Sequence, residues 1–152
     1  MSKQGAYALI GNNELKWLES GDSHVQIWKD FLLSMPYCIK WNNYLFVHAA
    51  VKKNVALNLQ DPNYLAGMIP VIPKSYNERT TVVFGHIPSV RLGAKEGTVF
   101  VSDGMLGIDT GAGKGGFLSL VDITNRIVYA IHTGDQTQIV TYNINEEKCL
   151  LV

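Results

Sequence analysis

Three short runs end on side chains able to bind or relay. Ala6-Tyr7-Ala8-Leu9-Ile10 leads to Gly11-Asn12-Asn13-Glu14, Tyr44-Leu45-Phe46-Val47 leads to His48, and Thr81-Val82-Val83-Phe84 leads to Gly85-His86, with Pro88 closing the last run. Apolar, aromatic and β-branched residues in such runs favour strands, and proline stops them. Asn12, His48 and His86 are therefore expected on loops at strand ends, where α/β sheets keep their chemistry. An imidazole there can ligate a metal or transfer a proton, and an amide can only hydrogen-bond or ligate.

A fourth stretch, Ile108-Asp109-Thr110-Gly111-Ala112-Gly113-Lys114-Gly115-Gly116, is glycine-rich around a lysine. It lacks the Gly-x-x-x-x-Gly-Lys-Ser/Thr spacing of a phosphate loop and leads into a strand, whereas a phosphate loop opens a helix. A glycine-permitted turn is the expectation.

Taken in order, Gly11-Asn12-Asn13-Glu14, Phe46-Val47-His48-Ala49, Val83-Phe84-Gly85-His86 and Ile108-Asp109-Thr110-Gly111 resemble the later motifs of calcineurin-like, serine/threonine-type metallophosphatases and the related bacterial dinucleoside tetraphosphatases. The resemblance spans most of the chain from Ala6 to Asp122. It implies a β-sandwich of mixed sheets with flanking helices, an α/β (α+β) fold whose C-terminal half is antiparallel β. It also places Asn12, His48 and His86 at ligand positions of the family's second metal, and Asn13 at the position of the family's general-acid histidine. From the tight turn that the family builds beside its site, Lys114 can reach an anion, so Asn13 and Lys114 are the expected ligand-binding residues.

The departures carry equal weight. The family's two aspartate-rich motifs, Gly-Asp-x-His-Gly and Gly-Asp-x-x-Asp-Arg-Gly, are expected before Ala6, where this sequence has five residues. The chain is thus expected to correspond to the C-terminal part of a metallophosphatase domain, as one domain over residues 1–152. Two imidazoles and an amide oxygen form a neutral donor set suited to manganese, zinc or iron, and without a carboxylate they should hold one divalent ion weakly. An asparagine at position 13 cannot donate a proton at neutral pH, and losing a general acid alone typically costs ~10²–10⁴ in rate.

The remaining elements follow from pattern. Leu15 and Leu18 continue a helical turn after Glu14, and Asp22 or Ser23 can cap a second helix in which Trp28, Phe31, Leu32 and Met35 form a core-facing stripe ended by Pro36. The Ala6–Ile10 run reads as a central strand covered on both faces. Tyr37–Lys40 and Tyr44–His48 read as a hairpin around an Asn-rich turn, and Asp61-Pro62 as the start of a short helix within an irregular stretch from 52 to 78. Strands are expected over Thr98–Ser102, Met105–Ile108, Gly116–Asp122, Ile127–His132 and Thr137–Tyr142. His24 and His132 are expected to be solvated.

Composition bounds the function. The 152 residues are 47% apolar and 17% charged, with 13 basic and 13 acidic side chains. Zero net charge gives no electrostatic footprint for nucleic acid or an anionic membrane. Cys38 and Cys149 lack metal-site spacing and, with a leading Met1-Ser2-Lys3-Gln4-Gly5 unlike a signal peptide, suggest a cytoplasmic protein. The leading expectation is a degenerate, non-catalytic metallophosphatase-like protein that binds a phosphorylated ligand or a protein partner. The competing ones are a metal-dependent phosphoesterase, with a single-metal site or completed by another chain, and a remnant without selected function. A homo-oligomer or protein partner is expected to cover a sheet edge and an apolar face.

Overall fold

Gly11 opens the first helix of the computed structural model, which describes residues 5–144. Helix α1 spans Asn12–Glu19. The Gly11 N–H, one of the donors that a helix start leaves unpaired, donates to Glu14 Oε2 at 2.9 Å. The reciprocal half of that capping box needs a side chain at position 11, and glycine has none. A 3₁₀ segment, Ser23–Ile27, follows, capped by Asp22, whose Oδ1 accepts from the His24 N–H at 2.9 Å. Helix α2, Lys29–Leu33, is a separate five-residue turn.

The chain divides into two compact units, Met1–Val82 and Val83–Val152. In the first, β1 (Cys38–Trp41) and β2 (Tyr44–Val47) form an antiparallel hairpin in which Trp41 faces Tyr44. Asn42 takes the positive φ of 52° that a two-residue hairpin turn requires, a conformation asparagine tolerates. Along β2, Leu45 and Val47 are buried while Tyr44 and Phe46 are half-buried, the period of two expected of a strand. Past β2, the stretch from 52 is held by Gln60, which is itself buried. Its Oε1 accepts from the Lys52 N–H at 2.8 Å, and its Nε2 donates to the Lys52 and Val55 carbonyls, both at 2.9 Å. Helix α3, Pro62–Leu65, starts at Asp61, whose carboxylate accepts from the Asn63 N–H at 2.9 Å.

Two sequence expectations fail in this unit. Ala6–Ile10 lies outside both sheets: Ala6, Tyr7 and Ala8 are exposed, and only Ile10 is buried, with its N–H donating to the Pro36 carbonyl at 3.1 Å. Apolar composition makes a segment compatible with a strand, but a neighbouring backbone must pair with it. The core-facing stripe fails as well. Leu32 is 5% exposed, whereas Trp28 and Phe31 are 53% and 49% exposed and Met35 is intermediate. Helix α2 is only five residues long, and its 3.6-residue period sets which side chains share a face but not which face another element covers.

Strand β3, Thr81–Phe84, runs across the division. The second unit continues with the antiparallel pair β4 (Phe100–Ser102) and β5 (Met105–Gly107), then β6 (Phe117–Asp122), β7 (Ile127–His132) and β8 (Ile139–Asn143). Five strands form a mixed sheet in the order β1-β2-β3-β5-β4, and β6-β7-β8 form a three-stranded antiparallel sheet. The architecture is therefore mixed α/β with an antiparallel C-terminal half, as expected. Phe84, 1% exposed, packs where a Cβ on Gly107 would meet its ring at 3.1 Å. The Tyr142 hydroxyl accepts from the Val99 N–H at 3.0 Å and donates to the Gly97 carbonyl at 3.1 Å, tying β8 to the loop before β4. No helix among the described residues is long and apolar enough to cross a membrane.

Candidate functional site

His48 follows β2, and its backbone is anchored from the next residue: the Ala49 N–H donates to the Leu65 carbonyl of α3 at 2.9 Å. Its imidazole lies over Gly11. A Cβ at that position would sit 2.6 Å from Nδ1, 2.7 Å from Cε1 and 2.8 Å from Cγ, closer than any side chain tolerates. Gly11 has ordinary extended φ and ψ of −119° and −178°, so the glycine is required by the ring above it and not by its own conformation. From this seat the Nε2–H of His48 donates to Asn12 Oδ1 at 3.0 Å, between the strand end and the first residue of α1. The amide oxygen can only accept, which puts the proton on Nε2.

Asn12 and His48, 36 residues apart in sequence, are thus brought together as expected. Asn13 is exposed on the first turn of α1. His86 follows β3 in the second unit, half-buried, and has φ of 67°. The Ile87 N–H donates to the Gly85 carbonyl at 2.7 Å across it, so His86 is the central residue of a three-residue turn of the rare, strained kind. Non-glycine residues persist in this region only where their surroundings hold them, and such strain gathers at functional sites.

The glycine-rich stretch forms the expected turn. Ala112–Lys114 is a 3₁₀ segment between left-handed Gly111 and Gly115, and it leads into β6. A Cβ on Gly116 would lie 2.7 Å from the Thr110 carbonyl oxygen. Asp109 spends its Oδ1 on the Gly111 N–H at 2.9 Å, and Thr110 Oγ1 donates to the Phe117 carbonyl at 2.6 Å. Lys114 is exposed on this turn.

His24 is exposed, as expected. His132 is not simply solvated: its ring packs edge-on against Phe117 at 5.0 Å, and its Nδ1 accepts from the Gly134 N–H at 3.1 Å. Cys38 carries a free thiol, half-buried, whose pKa burial pushes above the ordinary thiol value; Cys149 lies outside the described residues, as do Met1–Gln4. Among the described residues no group of three or more His, Cys, Asp or Glu side chains is placed to hold a metal. Gly11 and Glu14 are the supporting residues that reading for ligands alone passes over, although the Gly-Asn-x-Glu spacing is itself a helix-start signal. Comparison with protein-family models, curated proteins and solved structures finds no match to this chain.

Proposed function

We propose that these 152 residues form a metallophosphatase-like binding protein, sandwich-like in architecture, that holds a phosphorylated ligand at the Asn12–His48 end of the first unit and does not hydrolyse it. The observation that carries this reading is the built pair: His48 seated on Gly11 with Nε2 directed at Asn12 Oδ1 at 3.0 Å. That separation suits neighbouring ligand atoms on one ion, because two bonds of about 2.1 Å at a right angle span roughly 3 Å. The donor chemistry of this pair fits a zinc, manganese or iron ion. Bound there, the ion would offer a phosphate oxygen a positive charge. Asn13, on the first turn of α1, is the proposed hydrogen-bonding contact to that phosphate.

Ligand binding is favoured over catalysis by the residues themselves. The donor pair is neutral, and Asn13, at the position where the resemblance calls for a general acid, is an amide that cannot give up a proton at neutral pH. Calorimetric titration with zinc and manganese tests the reading. Stoichiometric binding that His48→Ala weakens by at least tenfold is expected. Equal binding by the variant refutes the site, and manganese-dependent hydrolysis of a phenyl phosphate ester, lost in His48→Ala, replaces it with the phosphoesterase reading.

A further inference from the structure

One face of the three-stranded sheet is largely apolar over two of its rows. Register places Leu118, Ile131 and Ile139 in one row across β6, β7 and β8, and Leu120, Tyr129 and Thr141 in the next. The third row, Asp122, Ile127 and Asn143, is polar at both edges. Leu118, Leu120 and Ile139 are 61%, 68% and 67% exposed and Tyr129 38%, while on the opposite face Val128 and Ala130 of the central strand are buried. Solvent-facing positions of an antiparallel sheet are ordinarily polar, so the usual inside-out alternation is replaced here by apolar residues on both faces.

We infer that this face is the contact surface between two copies of the chain, packed sheet on sheet about a two-fold axis. The four most exposed apolar side chains leave on the order of 480 Å² in water, and their row neighbours bring the face to roughly 700 Å², near the ~800 Å² per partner of a standard interface. Its apolar part is comparable to the largest patch on a typical monomer, and such patches are often functional. Asp122 is the only formal charge in the three rows, and it stands at one corner. A second copy therefore brings one carboxylate to the rows, whereas a strongly charged partner would find only that one corner charge across them. A flat apolar sheet face is also its own complement, and two such faces stack about 10 Å apart with side chains interleaved. An isologous contact follows because the same patch serves both copies. The inference does not depend on the phosphate-binding reading.

Sedimentation velocity on the full chain, across a concentration series from about 1 to 100 µM, tests it. The wild type should shift from monomer to dimer within the series. Leu120→Glu should weaken association by at least tenfold while leaving the far-ultraviolet circular dichroism unchanged. Because a charge in a strand could disturb folding, Leu118→Thr/Ile139→Thr, which keeps strand propensity, should weaken it in the same direction. Trp28→Glu, on the exposed part of the first unit, should leave it unchanged. A wild type that stays monomeric throughout overturns the inference, as does a dimer lost in Trp28→Glu but retained in the sheet variants.

Discussion

His48 and His86 both stand one step past an apolar strand, yet they are held by opposite means. His48 is fixed through its side chain: a glycine clears room beneath the ring, and Asn12 Oδ1 accepts a hydrogen bond from its Nε2–H. His86 is fixed through its backbone, which is bent to φ of 67° across a 2.7 Å hydrogen bond between its neighbours. The first arrangement stores its specificity in contacts that can be deleted one at a time. The second stores it in strain, supported from β3, where Phe84 is buried and its carbonyl accepts from the Ile108 N–H at 2.8 Å. Two imidazoles at equivalent sequence positions therefore differ in what would dislodge them.

The largest effect should come from removing the support under the strained turn. Phe84→Ala should cost about 3–5 kcal/mol in urea denaturation, because the fully buried ring at the end of β3 leaves a cavity. A smaller loss would show that the turn is held by something other than the packing of that strand.

Next comes the seat of the other histidine. Gly11→Ala should destabilise the chain by about 1–3 kcal/mol through overpacking against the imidazole. In combination with His48→Ala the penalty should shrink, since the ring that clashes is gone. Additive losses in this double-mutant cycle would break the argument that Gly11 exists for His48. The smallest effect separates side chain from backbone at position 86. His86→Gly should be more stable than His86→Ala by about 1 kcal/mol, because only glycine takes positive φ without cost. If alanine is the better residue there, the turn is not strained.

How much of this was legible beforehand depended on whether the signal was local. The hairpin around Asn42-Asn43, the Asp61 cap, β3 and the strands from Phe100 to Asn143 appear at or within two residues of their expected bounds. Each rests on side-chain alternation or turn chemistry carried by the segment itself. The family resemblance put Asn12 and His48 forward as metal ligands; the hydrogen bond between them and the packing of His48 on Gly11 are what the structure adds. Tyr7, Trp28 and Phe31 went the other way. Their hydrophobicity says what burial would gain, but not whether another element arrives to bury them. His132 likewise needed Phe117 beside it, a neighbour that strand register supplies.

The sequence by itself determined the local elements: where the chain turns, which strands alternate, and that Gly-Asn-x-Glu begins a helix. Those depend on φ and ψ preferences and on periodicity, which neighbouring residues share. Only the tertiary structure decided that Ala6–Ile10 stays outside the sheets, that Leu32 alone of its stripe is fully buried, and that the outer face of β6-β7-β8 is left apolar and exposed. It also decided that His86 occupies a strained backbone state. Burial and strain are properties of what surrounds a residue, and the surroundings are assembled from segments distant in sequence.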